Sequence, residues 1–127
     1  MQALLEAGLT GARARIPSAE TMANEYIYAQ DVGRAVDLAV TKSSAAGKIF
    51  NIGNGFVTPF AEVVAAVRHH CPALDYDIEP GEAPKNKAAP LSIAAAEQHL
   101  GWRPHHDIVA GFGAYLAELK AARSQGL

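Results

Sequence analysis

The chain has a single cysteine, Cys71, among its 127 residues, so it can form no internal disulfide. This cysteine usage is typical of proteins of the reducing cytoplasm. No run of apolar residues is long enough to span a bilayer. The first residues include Glu6 and no basic leader, a pattern unlike that of a signal peptide. We therefore expect a cytoplasmic protein.

An excess of charge of either sign is also lacking. The 11 Lys and Arg residues are balanced by 13 Asp and Glu, the formal net charge is −2, and the basic residues form no tract. This balance provides no electrostatic basis for binding nucleic acid or an anionic membrane. Half of the residues are hydrophobic, and the length suits one domain with a modest core. We expect a single domain over residues 1–127.

Strand-like and helix-like segments alternate along the chain, which predicts an α/β or α+β fold. Alternating or β-branched runs predict strands at 13–16, 26–28, 48–53 and 74–78. Helical spacing of apolar residues predicts helices over 2–7, 31–41, 58–71, 92–99 and 107–121. The expected helix caps and stop signals are Asp31, Thr58, Ser92, Asp107, Gly8 and Gly101.

Three motifs occur in a characteristic order: Tyr-Ile-Tyr-Ala-Gln-Asp-Val at 26–32, Asn-Ile-Gly at 51–53, and Leu-Gly-Trp-Arg-Pro at 100–104. Together they resemble the C-terminal third of the extended short-chain dehydrogenase/reductases, the NAD-dependent epimerase/dehydratase family. The resemblance implies an α/β fold, in which 31–41 and 48–53 are the last helix and strand of a Rossmann sheet. The later segments would form a small α+β substrate-binding subdomain. It also implies that the N-terminal NAD-binding domain is absent from these residues.

The chemistry of that family depends on two motifs that this sequence does not contain. A glycine-rich turn holds the dinucleotide, but Gly53-Asn-Gly55 is a lone pair of glycines and is better interpreted as a turn. A Tyr-x-x-x-Lys pair transfers the proton, but Tyr115 and Lys120 are five residues apart. We therefore expect this chain to bind no cofactor, to have no catalytic residue and to be inert alone. NAD(P) would belong to the parent enzyme.

The resemblance also indicates candidate substrate-binding residues, namely Asn24, Tyr28 and Lys85. Tyr28 would face the substrate cleft, and Asn24 stands where nucleotide-sugar enzymes of the family have an arginine that grips the diphosphate. Lys85 lies in a predicted loop over 80–90 and would supply positive charge. A sugar-like substrate is the expectation. The missing arginine argues against a nucleotide-diphosphate sugar, because a forked guanidinium suits that group.

The remaining polar clusters favour structural roles. Histidines that are adjacent on a helix point about 100° apart, so neither His69-His70 nor His105-His106 predicts a metal site. Cys71 and Trp102 are expected to pack.

Two functions stay open. The first is the substrate-side fragment of an NAD(P)-dependent sugar epimerase/dehydratase-like oxidoreductase, and the alternative is a standalone, non-enzymatic binding or assembly module derived from that family. Uncovered sheet edges and helix faces would favour a homo-oligomer or an N-terminal domain partner.

Overall fold

The computed structural model describes residues 2–17, 21–80 and 89–126. Within these residues the helices are α1 (Gln2–Thr10), α2 (Ala29–Thr41), α3 (Phe60–His70), α4 (Ala94–Leu100) and α5 (Ile108–Ser124), with a short 3₁₀ turn at Ser43–Ala45. The strands are β1 (Ala14–Pro17), β2 (Ala23–Asn24), β3 (Thr58–Pro59) and β4 (Tyr76–Glu79). The mixture of helices with short strands confirms the predicted α/β class.

The strands pair in two small sheets. β1 and β4 are parallel, with Ala14 opposite Tyr76 and Ile16 opposite Ile78. β2 and β3 are antiparallel and only two residues long, with Asn24 opposite Thr58. The parallel pair joins the start of the chain to the segment that follows α3, so the first and middle parts of the chain form one layer.

The larger core lies between that parallel pair and the helices α1, α3 and α5. Val63, Val64 and Val67 recur at helical spacing and are buried, as the apolar pattern of α3 predicted. Phe112 and Leu116 lie one turn apart on α5 and are buried in the same cluster. Cys71 is also buried there, which confirms its predicted packing role.

A second core surrounds Trp102, which is fully buried. Its neighbours are small or aliphatic buried residues, namely Ala35, Ala45, Ala96 and Leu100. Gly101 ends α4 with φ +63°, a conformation that favours glycine and turns the chain so that Trp102 packs beneath α2. The Trp102 Nε1–H donates to the backbone carbonyl of Asp31 at 3.0 Å. Both the stop at Gly101 and the packing role of Trp102 are confirmed.

Several predicted helix boundaries are wrong. α1 continues through Gly8 to Thr10, because Gly8 is a packing residue there: a Cβ on it would lie 2.8 Å from the Cβ and Sγ of Cys71. α2 begins at Ala29, two residues before Asp31, whose carboxylate does not cap the helix. Thr58 and Ser92 were also predicted as helix caps, and both predictions are wrong. Thr58 is buried in β3, and Ser92 lies two residues before the start of α4 at Ala94. Asp107 is a true cap, because its Oδ1 accepts from the Ala110 N–H at 2.8 Å.

Two predicted strands are absent from the part of the chain that the structure describes. Residues 26–28 and 48–53 are irregular, and Ile49 is 92% exposed. β-branched composition favours an extended chain, but a strand also needs a hydrogen-bonding neighbour, and neither segment has one here. The strands predicted at 13–16 and 74–78 are present as β1 and β4, each shifted by one or two residues.

Candidate functional site

The candidate site is a cavity of about 330 Å³. That volume lies at the small end of the range for small-molecule pockets. Four stretches of chain form it: the segment that leads into α2, the turn that contains Asn54, the loop before α5, and the first three turns of α5. Its lining residues are Tyr26, Ile27, Tyr28, Ala29, Asn54, His106, Asp107, Ile108, Gly111, Phe112, Tyr115 and Glu118.

Asp31 lies behind one wall of this cavity and holds that wall in place. Its carboxylate is 1% exposed and accepts hydrogen bonds from the backbone N–H groups of His105 at 3.0 Å and His106 at 2.9 Å. It also accepts from the His106 ring at 3.0 Å and from Arg34 at 3.2 Å. Arg34 additionally donates to the carbonyl of Arg103. One buried carboxylate therefore fixes the loop that leads into α5.

The hydrogen bonds keep the Asp31 carboxylate ionised. Burial alone raises the pKa of Asp31, but the backbone N–H groups of His106 and His105, the His106 side chain and Arg34 together lower it from 3.8 to about 2. Donors that point at a carboxylate favour its charged form, and here they outweigh the cost of desolvation. Asp31 is thus a fixed negative charge at neutral pH.

This charge sets the tautomer of His106. An ionised carboxylate only accepts hydrogen bonds, so the His106 Nδ1 that faces Asp31 carries a proton. In the neutral ring Nε2 is then an acceptor, and Nε2 has no hydrogen-bond partner among the described residues. The ring of His106 also contacts that of Tyr28 edge to face, with centroids 4.8 Å apart. A buried aspartate, an oriented histidine and a tyrosine therefore form one connected wall.

Tyr28 also contacts Glu118, another residue of the cavity lining. The Tyr28 hydroxyl donates to Glu118 Oε1 at 2.5 Å, and Gln30 donates to the same oxygen at 3.0 Å. The hydrogen bond to Glu118 is the main cause of a rise in the pKa of Tyr28 to about 12, with burial and the charge of Glu118 adding to it. Tyr28 is therefore protonated at neutral pH and is a hydrogen-bond donor rather than a base.

The Gly53–Gly55 turn does not fit a dinucleotide pyrophosphate. The backbone N–H of Gly55 donates to Glu25 Oε1 at 2.7 Å, and the N–H of Leu91 donates to Glu25 Oε2 at 2.8 Å. A Cβ on Gly53 would collide with the same Glu25 oxygen. Glu25 thus occupies the place of an anion at this turn, and a phosphate there would meet a carboxylate.

Of the three predicted substrate-binding residues, the structure describes Tyr28 and Asn24. Tyr28 lines the cavity. Asn24 lies in β2 and is not among the lining residues, but its side-chain amide donates at 3.4 Å to the hydroxyl of Tyr26, which is. Lys85 lies outside the described residues. The sequence analysis considered His106 only as a metal ligand and did not single out Glu118; these residues lie just before and near the end of the helix predicted over 107–121.

The other histidines have structural contacts. A ring nitrogen of His70 lies 2.8 Å from the carbonyl of Val109, and the His70 ring packs against Gly113, so this residue links α3 to α5.

No group of three or more His, Cys, Asp or Glu residues able to hold a metal occurs in residues 2–17, 21–80 and 89–126. Over the same residues, none of the helices has the length and apolar character needed to cross a membrane.

Comparisons with known proteins show which solved structures share this fold. No family sequence model matches the chain, and no curated protein sequence matches it. Solved structures do. The UDP-glucose 4-epimerase of Thermotoga maritima with UDP-glucose is 22% identical, with a TM-score of 0.80 over 94% of this chain and 38% of its own. The dTDP-glucose 4,6-dehydratase of Bacillus anthracis in complex with NAD is 15% identical, with a TM-score of 0.77 over 93% of this chain and 37% of its own.

RMD from Pseudomonas aeruginosa complexed with NADPH is a third example, 17% identical with a TM-score of 0.78 over 95% of this chain and 42% of its own. The fold is that of the C-terminal part of an extended short-chain dehydrogenase/reductase. At these identities the likeness is one of fold. The chain spans about two fifths of the length of the solved chains that it matches.

Proposed function

We propose that this chain forms the substrate side of an NAD(P)-dependent sugar epimerase/dehydratase-like oxidoreductase. The observation that carries the proposal is the match of more than nine tenths of the chain to part of enzymes whose solved complexes hold UDP-glucose, NAD or NADPH. The cavity beside Tyr28 and His106 supports it, because polar groups in a mostly apolar cleft are typical of small-molecule sites.

We also propose that these 127 residues catalyse no reaction by themselves. The sequence contains neither a glycine-rich dinucleotide turn nor a Tyr-x-x-x-Lys pair. The turn at Gly53–Gly55 already binds the carboxylate of Glu25 through the Gly55 N–H. NAD(P) would therefore be held by residues other than these, and its hydride chemistry would be supplied from there.

The partner that we propose is a dinucleotide-binding half. Val36 and Val40 are one turn apart on α2 and are 58% and 80% exposed, and Ile49 in the irregular segment is 92% exposed. Large aliphatic side chains exposed on one helix face are characteristic of an interaction surface. Among the residues that the structure describes, the backbone of Ile49 makes no hydrogen bond to another backbone group, so a sheet from the partner would have groups to pair with.

The substrate that we propose is sugar-like rather than strongly anionic. The residues available to it are neutral hydrogen-bonding side chains, Tyr28 at the cavity and Asn24 in β2, with Lys85 as a source of positive charge. No Lys or Arg is among the described residues that line the cavity. A diphosphate would therefore need its counter-charge from elsewhere.

The test is sedimentation and thermal melting of the purified chain, with and without NAD. We expect no rise in melting temperature with NAD, and concentration-dependent association through the exposed aliphatic surface. Ile49→Asp should abolish the association without lowering the melting temperature, whereas Ser43→Asp, an exposed polar control close in sequence, should leave it unchanged. Stabilisation of a monomer by NAD would refute the proposal, because a ligand stabilises only a state that binds it.

A further inference from the structure

Among the described residues that line the cavity, the charged side chains are carboxylates. Two carboxylates line it, Glu118 and Asp107, and no Lys or Arg is among its described lining residues. One oxygen of Glu118 accepts from Tyr28 and Gln30, which leaves Oε2 without a partner among the described residues. An anionic ligand would be repelled here, and a cation would be attracted.

Three polar atoms of the lining are available as hydrogen-bond acceptors. The carboxylate of Asp31 fixes the proton of His106 on Nδ1, which leaves Nε2 as an acceptor in the neutral ring. The Asn54 amide nitrogen donates to the Tyr26 carbonyl, which leaves Asn54 Oδ1 as an acceptor. Together with Glu118 Oε2, these atoms give the lining three acceptors for the donors of a ligand.

Four of the lining residues carry Tyr or Phe rings. Tyr26, Tyr28, Phe112 and Tyr115 all contribute side chains to the cavity. Aromatic faces attract cations through the ring quadrupole, and they also pack against an apolar or aromatic ligand body. Hydrogen-bond acceptors, negative charge and aromatic faces thus all favour a ligand with a positively charged group that donates hydrogen bonds.

We propose that this cavity binds a primary ammonium group attached to a small apolar or aromatic body. The ammonium donates to Glu118 and to the acceptors beside it, and the body packs between the aromatic rings. Asp31 acts as a positioning residue, because it holds His106 in the accepting tautomer. The cavity is the one to which we assign the sugar-like substrate, so an ammonium ligand held there would compete with that substrate.

The experiment titrates the ¹⁵N-labelled chain with three probes of similar shape: 2-phenylethylammonium, neutral 2-phenylethanol and anionic phenylacetate. We expect the ammonium to bind about tenfold more tightly than the alcohol, within the range that cation–π and ion-pair contacts provide. The amide signals of His106 and Gly111, both at the cavity wall, should shift. Phenylacetate should not bind.

Glu118→Gln separates this site from general attraction of cations to an acidic protein. Its Oε1 still accepts from Tyr28, so the wall is kept, while ammonium affinity should fall about fivefold and that of the alcohol should not change. Glu62→Gln removes the same charge from the exposed first turn of α3 and should have no effect. Equal affinities for the three probes, or equal losses in both variants, would overturn the proposal, whatever the outcome with NAD.

Discussion

Replacing Asp31 with asparagine removes the negative charge that connects α2 to the backbone of the loop before α5. The carboxylate accepts four hydrogen bonds, two of them from the backbone N–H groups of His105 and His106. An asparagine can accept with one oxygen only, and its NH₂ would face one of these donors. Because the site is buried, water cannot replace the lost partner.

The size of the effect follows from the pKa of Asp31. A fall from 3.8 to about 2 on folding means that the charge contributes about 2 kcal/mol to the free energy of unfolding at neutral pH. The folded pKa is the lower one, so this contribution is complete above about pH 5 and is lost as the pH falls towards 2. Roughly half should remain near pH 3.

The assay is urea unfolding of both proteins, followed by the fluorescence of Trp102, at several pH values between neutral and about pH 3. Trp102 is suited to this, because it is the only tryptophan and its Nε1 bonds to the Asp31 carbonyl. The difference between the wild type and Asp31→Asn should be about 2 kcal/mol or more at neutral pH and should shrink with acidification. A difference that does not change with pH would refute the argument, because the charge would then not be its cause.

Two further predictions concern the carboxylates of Glu118 and Glu25. In an ultraviolet titration of the folded chain, one of the four tyrosines should ionise only near pH 12. Tyr28→Phe should remove that late step. A wild-type curve without a step near pH 12 would contradict the hydrogen bond to Glu118. Gly53→Ala should destabilise the fold by about 1–3 kcal/mol in urea unfolding, because its Cβ displaces the Glu25 carboxylate from two backbone N–H groups. Glu25→Ala should make Gly53→Ala nearly neutral, and full additivity of the two changes would show that the collision is not with Glu25.

Much of the local structure could be predicted from short-range patterns. The buried face of α3, the cap at Asp107 and the stop at Gly101 each depend on residues within one or two helical turns. The order of three motifs indicated the fold that the solved structures share. Strands were harder, because a strand depends on its neighbour: the segments at 26–28 and 48–53 have suitable composition and remain irregular among the described residues.

By itself, then, the sequence determined the helix faces, the turn glycines and the class of fold. The tertiary structure decided what the polar residues do. Asp31 was expected to cap its own helix and instead binds His105 and His106, more than seventy residues away in sequence. Glu25 likewise reaches Leu91. A buried carboxylate is stabilised by whichever donors surround it, and folding alone determines which donors from distant parts of the chain come within reach.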